Sequence, residues 1–167
     1  LVNLIDGWRT LSSAKKVNLQ FTVRQPFFLQ RDMNKKLSKN WSSREFECSC
    51  RCETGEMDMG HIEKLQELRD AMGVALKVTS GIRCEEHNNV IRGAKKSWHV
   101  PRSGICYASD ITFAHGSRNN SRTLKLYVLA DQLGFKGLGL YRGRIHVDSR
   151  PGKKARWIDH FWNWRDT

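Results

Sequence analysis

No run of apolar residues in this chain approaches the ~18 needed to cross a bilayer, so a membrane-spanning helix is excluded. Internal repeats and low-complexity tracts are also missing. Acidic residues are in short supply: 17 Asp and Glu stand against 29 Lys and Arg, a net charge of +12. A balance of that kind points to a polyanionic partner, whether nucleic acid, anionic lipid or the anionic polymers of a bacterial envelope. Leu1–Ser12 lacks the charged start and long apolar centre of a secretory signal, which leaves the compartment open. What is present argues for a folded protein. Hydrophobic residues make up 39% of the chain, with six Trp and seven Phe, which excludes wholesale disorder. The 167 residues suit one domain, and a chain this size buries roughly 70% of its unfolded surface.

Cysteine is odd in number, so the five residues Cys48, Cys50, Cys52, Cys84 and Cys106 cannot all pair within one chain. Cys48, Cys50 and Cys52 form a C-x-C-x-C cluster, tighter than the usual C-x₂-C knuckle. With Cys84 they have the composition of a structural zinc site. A bridge between two of them, or reduced thiols on a loop, fits the spacing equally.

Along the chain, Val17–Leu29 has strand-like stretches broken at Pro26, and Arg31–Asn40 reads as a basic linker or arm. The pattern sharpens from Trp41. Met59–Met72 places Ile62, Leu65, Leu68 and Met72 at helical spacing, with Asp58 as N-cap and Gly73 as stop. Val74–Val78 alternates as a strand does, and a loop from Ser80 to Cys84 leads into a short helix over Glu85–Ile91. Tyr107–Phe113 reads as a strand and Thr123–Leu133 as a helix ended by Gly134. Leu138–Tyr141 and Arg144–Asp148 read as a hairpin turning at Arg142 and Gly143. The tail carries Trp157, Phe161, Trp162 and Trp164, expected to pack over the sheet. This order predicts an α+β domain with a small antiparallel sheet flanked by helices.

Three polar residues stand in apolar or tightly turned surroundings: His99, Asp110 and His146. A carboxylate inside an apolar strand needs a cation or hydrogen bonds to satisfy it. On a strand, Arg144, His146 and Asp148 share one face while Ile145 and Val147 take the other. Two histidines and a carboxylate from separate elements have the composition of a catalytic zinc site, in which water takes the fourth position.

Six phrases occur in order: Leu-Ser-Lys-Asn-Trp-Ser-Ser-Arg-Glu-Phe (37–46), Thr-Ser-Gly-Ile-Arg-Cys-Glu-Glu-His-Asn (79–88), Gly-Ala-Lys-Lys-Ser-Trp-His (93–99), Ala-Ser-Asp-Ile (108–111), Gly-Leu-Gly-Leu-Tyr (137–141) and Ile-His-Val-Asp-Ser-Arg-Pro-Gly (145–152). Through them the segment from Leu37 to Trp157 resembles the M15 family of zinc D-Ala-D-Ala peptidases, above all the small subgroup of envelope enzymes and phage lysins. The resemblance implies a zinc peptidase fold shared with the Hedgehog signalling domain, spanning 37–167 after an arm or linker over 1–36. It implies zinc ligation by His99, Asp110 and His146, and peptidoglycan stem peptides or cross-links as substrate in the bacterial wall. It also suggests that Arg83 anchors the substrate's carboxylate or orients its carbonyl, a task that suits a guanidinium fork, with a structural ion pair as the alternative. Ser97 is expected near the ligands or the substrate.

The sequence departs from the family pattern twice. The family's usual spacing between the first His and the Asp is six residues, whereas ten, Val100 through Ser109, lie between His99 and Asp110. An outward bulge accommodates such an insertion at small entropic cost; Cys106 lies within it, as part of the loop or as a competing ligand. Many members also carry Asp or Glu three residues before the last His, where this chain has Gly143. Asp148 is the nearest replacement as general base, with a partner holding the ring of His146 or a structural ion pair as alternatives. Glu85, His87 and His160 are weaker candidates for moving the proton. The rival to an enzyme is a metal-containing, non-catalytic module that binds cell wall or another polyanion through its basic surface. A nucleic-acid role would need stacking aromatics on a basic face, and the sequence favours a tryptophan-rich core edge instead.

Overall fold

The computed structural model describes residues 34–115 and 119–160 together with Trp162. The expectations for Val17–Leu29, Phe161 and Trp164, and nearly all of the arm over 1–36, lie outside these residues. A 3-10 turn over Ser43–Phe46 is followed by β1 (Glu56–Met57), α1 (Met59–Met72), β2 (Leu76–Ser80), α2 (Glu85–Val90), β3 (Ile105–Cys106), β4 (Ala108–Phe113), α3 (Asn120–Gln132), β5 (Gly137–Tyr141), β6 (Arg144–Asp148) and β7 (Ala155–Ile158).

Capping sets the helix ends. The Asp58 carboxylate accepts from the His61 amide at 2.8 Å, a cap that contributes about 1 kcal/mol. Gly73 closes α1 in the left-handed region, at φ 69°, and its N–H returns to the carbonyls of Arg69 and Asp70. Asn119 caps α3 in the same way through the Arg122 amide, so this helix begins at Asn120, three residues before the apolar periodicity announces it. The buried stripe of α1, Ile62, Leu65 and Leu68, meets Leu126 and Ala130 of α3 and the sheet residues Ile111, Leu138, Leu140, Ile145 and Val147 in one core.

The main sheet has the order β2-β4-β6-β5-β7. Its first four strands are antiparallel to their neighbours, as expected, and β7 adds in parallel to β5. Ala155–Ile158 alternates half-buried and exposed residues, a pattern too polar to announce a strand, so the sequence reading leaves it in the tail. The β2 strand starts at Leu76 rather than Val74 and runs on to Ser80, because its ladder partner is β4. A bulge between Val78 and Ser80 brings Ser80 opposite Asp110. The insertion after His99 turns at Ser103 and Gly104, both with positive φ. It returns as β3, which pairs in parallel with β1.

Register lines up one row across all five strands: Ser80 opposite Asp110, Asp110 opposite His146, His146 opposite Gly139, and Gly139 opposite Trp157. Side chains of directly paired residues share a face, so this row gathers polar groups on the side away from Ile111, Ile145 and Val147. The opposite face is also tied to α1 through His61. Buried His61 places its ring nitrogens 3.0 Å from the Ser149 hydroxyl and 2.9 Å from that of Ser109.

Burial pulls the His61 imidazole down from 6.5 to about 3. Between those values the unfolded chain binds the proton that the folded chain refuses, so stability falls as pH drops below 6.5. Urea denaturation at stepped pH between about 6.5 and 4 is expected to show this slope. His61→Gln is expected to lower it by up to one proton's worth, about 1.4 kcal/mol per pH unit. An unchanged slope would remove His61 as its source.

Candidate metal centre

Asp110 and His146 reach the same place because their strands pair with these residues opposite. His99 arrives from the loop after α2. Its backbone carbonyl accepts from the Arg83 amide at 2.9 Å, and its Nδ1 lies 2.6 Å from the Gly81 carbonyl. The Ser97 hydroxyl accepts from the His99 amide at 3.3 Å, bracing the loop that carries the ring.

The three side chains meet closely. His99 Nε2 lies 3.1 Å from His146 Nδ1 and 3.2 Å from Asp110 Oδ1, and His146 Nδ1 lies 3.0 Å from the same oxygen. The outer ring nitrogens fix what the inner ones offer. A carbonyl only accepts, so His99 Nδ1 must carry its proton, which leaves Nε2 as a lone pair. His146 Nε2 faces the Asp148 carboxylate at 3.0 Å and donates likewise, leaving Nδ1 bare. With both rings neutral, three electron pairs therefore converge on one point. Ligands of a tetrahedral zinc at ~2.0–2.1 Å stand on the order of 3.3 Å apart, close to these separations. The donor set fits a divalent ion, and each histidine gives its other N–H to a carbonyl or carboxylate, as metal-ligating histidines do.

The electrostatics differ between the two rings. Burial lowers the affinity of His99 for a proton, and Asp110 offsets this only in part. At His146 burial acts in the same direction, but hydrogen bonds and charges from Asp110 and Asp148 outweigh it and the net shift is upward. Burial alone would raise Asp110, yet His99 and His146 hold it well below the usual carboxylate range.

Arg83 points its Nη2 at Asp110 Oδ2, 2.5 Å away, and its Nε donates to the Ser80 hydroxyl at 2.7 Å. One arginine thus joins two members of the sheet row. Asp148 lies across the His146 ring from the cluster, fully buried. Arg150 donates Nε to its Oδ1 at 2.7 Å and Nη2 to its Oδ2. Burial would raise this carboxylate, but Arg150 and His146 hold it far below its ordinary value. Among the described residues, neither Glu85 nor His87 hydrogen-bonds the cluster, and His160 sits exposed beside Asp159. Buried Cys106 directs its thiol at backbone carbonyls, 3.4 Å from that of His99, and burial pushes it up to about 12.

Sequence reasoning offered Asp148 as a partner of His146 but missed Arg150 and Trp157 beside it. Two glycines of the 137–141 phrase make room for them. A Cβ at Gly137 would collide with the Asp148 carboxylate and with Arg150, and a Cβ at Gly139 would collide with the Trp157 indole. Trp157 covers His146 with ring centroids 5.0 Å apart, and its indole N–H donates to the Tyr141 hydroxyl at 2.8 Å. The alternation of glycine and leucine in 137–141 was the available signal, because glycines two apart on a strand leave one face bare.

A second group of atoms able to hold a metal ion stands apart from this centre: the sulfurs of Cys48, Cys50, Cys52 and Cys84 lie within 4.8 Å of one another. Among curated proteins none matches the chain. A family model described as Peptidase M15 matches residues 39–148, a stretch that contains His99, Asp110, His146 and Asp148. With that match over about two thirds of its length, the chain belongs to the Peptidase M15 family.

Proposed function

We propose that this peptidase is zinc-dependent and hydrolyses amide bonds in the stem peptides or cross-links of bacterial peptidoglycan. The observation that carries the reading is the meeting of three ligand-type atoms, from His99, Asp110 and His146, within 3.2 Å of one another. The net charge of +12 adds to it, since it would draw the protein to the anionic polymers of the wall. The place of action in this reading is the bacterial envelope, reached by the bacterium's own enzyme or by one a phage delivers. When bound, zinc supplies electrophilic activation of water and of the scissile carbonyl.

The protein's own residues hold and orient. Gly81 and Asp148 fix the tautomers that leave His99 and His146 able to ligate. In this reading Asp148 orients the His146 ring and is not the general base. A base must reach the attacking water, and both Asp148 oxygens already serve Arg150 and His146. Arg83 holds the outer oxygen of Asp110 and so turns its carboxylate toward the cluster. Its side chain, 12% exposed, also places positive charge where a substrate's carboxylate or carbonyl would lie. Ser97 holds the loop of His99 in place and takes no part in the chemistry.

Incubation of the zinc-loaded protein with peptidoglycan is expected to yield new peptide termini by mass spectrometry, and a chelator is expected to abolish them. Absence of cleavage on several wall chemistries would defeat the enzyme reading and leave a metal-containing, wall-binding module. His146→Ala is expected to remove both the cleavage and the ion bound at this centre.

Asp148→Asn keeps the size of the side chain but removes the charge that orients His146. A drop of about 10–100-fold in zinc affinity is expected, read by competition with a chelating dye. Unchanged affinity, with a changed pH–rate profile, would return Asp148 to the role of base.

A further inference from the structure

We infer that Cys48, Cys50, Cys52 and Cys84 together bind a second, structural zinc ion as four thiolates, clamping the 47–55 loop onto the turn that carries Arg83. The four sulfurs are already gathered. Cys50 Sγ lies 3.2 Å from that of Cys48, 2.8 Å from that of Cys52 and 3.5 Å from that of Cys84, and Cys48 and Cys84 are 4.0 Å apart. Four sulfurs at ~2.3 Å from a tetrahedral zinc stand about 3.8 Å from one another, and these separations fall on both sides of that value. All four cysteines are free. Thiols that share no bond and no metal have no reason to crowd a single point.

The backbone builds the site. The Arg51 amide closes a turn onto the Cys48 carbonyl at 2.8 Å, and Arg51 takes a φ of 59°. The turn lies inside the C-x-C-x-C run and folds its sulfurs back on one another. Two amides point at sulfur: Cys84 N–H at the Cys48 sulfur, 3.4 Å, and His87 N–H at that of Cys84, 3.2 Å. Amide donors of this kind hold the sulfurs in place from behind. Tetrathiolate ligation also accounts for the odd cysteine count: four residues ligate, and the fifth, Cys106, is a buried thiol turned toward carbonyls.

The loop needs such a fastening. Residues 47–55 form neither helix nor strand, and beyond buried Cys48 the run 49–53 is exposed, so little apolar burial holds the loop. Cys84 directly follows Arg83, whose amide supports His99 and whose guanidinium holds Asp110. The ion would therefore steady the arginine beside the first centre. The metal assignment stands without the peptidase reading, whereas its bearing on Arg83 rests on that reading.

The test is cobalt substitution with metal counting on the full chain, purified without chelator. Wild type is expected to hold two zinc ions, and both His146→Ala and the double variant Cys50→Ser/Cys52→Ser to hold one. Cobalt-loaded wild type and His146→Ala are expected to show an intense near-ultraviolet thiolate-to-cobalt band, which the double variant loses. Both replaced cysteines are exposed, so their loss leaves the core intact. A wild type without that band, or with a mass lowered by disulfides among the four cysteines, overturns the inference. Wild type that shows the band but cleaves no peptidoglycan sinks the peptidase reading alone.

Discussion

Three lone pairs aimed at one point are the constraint around which the described domain is arranged. The Asp110 oxygen and the inner nitrogens of His99 and His146 would repel one another unless a cation or a shared proton stood among them. The arrangement persists because each group is fixed from behind. Gly81 and Asp148 take the outer N–H groups of the rings, and Arg83 takes the outer oxygen of Asp110. Ionised groups taken out of water are tolerable when paired and hydrogen-bonded, and here every one of them has a partner behind it.

The sheet supplies the rigidity. A single register row delivers Ser80, Asp110, His146 and Trp157 to one face, and a slip of one residue in any strand would turn its member of the row to the core. The core face of the same strands, filled by Ile111, Ile145 and Val147, opposes that slip. Packing on one side of the sheet thus protects chemistry on the other. The two bare glycines of β5 complete the arrangement by letting the Asp148–Arg150 pair and the Trp157 indole lie over the strand and against His146.

Much of this was legible in the sequence. Helix α1 was readable to the residue because its cap, apolar spacing and stop all agree. The hairpin was readable because Ile145 and Val147 alternate with His146 and Asp148. The His99–Asp110 spacing was the misleading feature: the extra residues turn at Ser103 and Gly104 and pair with β1, leaving His99 and Asp110 side by side. Strand β7 was hidden because a strand held by parallel pairing at the edge of a sheet needs little hydrophobicity of its own. Asp148 was visible as a partner of His146, but a strand's two-residue period says only that they share a face. It says nothing of Arg150 engaging both carboxylate oxygens.

The sequence by itself determined which residues are chemically capable: the ligand types, the basic charge, the cysteine cluster and the faces on which His146 and Asp148 lie. Those properties are local, set by side-chain chemistry and by the short periods of helix and strand. Tertiary structure decided which nitrogen of each histidine faces Asp110, which partner holds Asp110, and that four sulfurs separated by up to 36 residues share one point. These are matters of distance between segments remote in the chain, and only the paired strands and the closed loops set those distances.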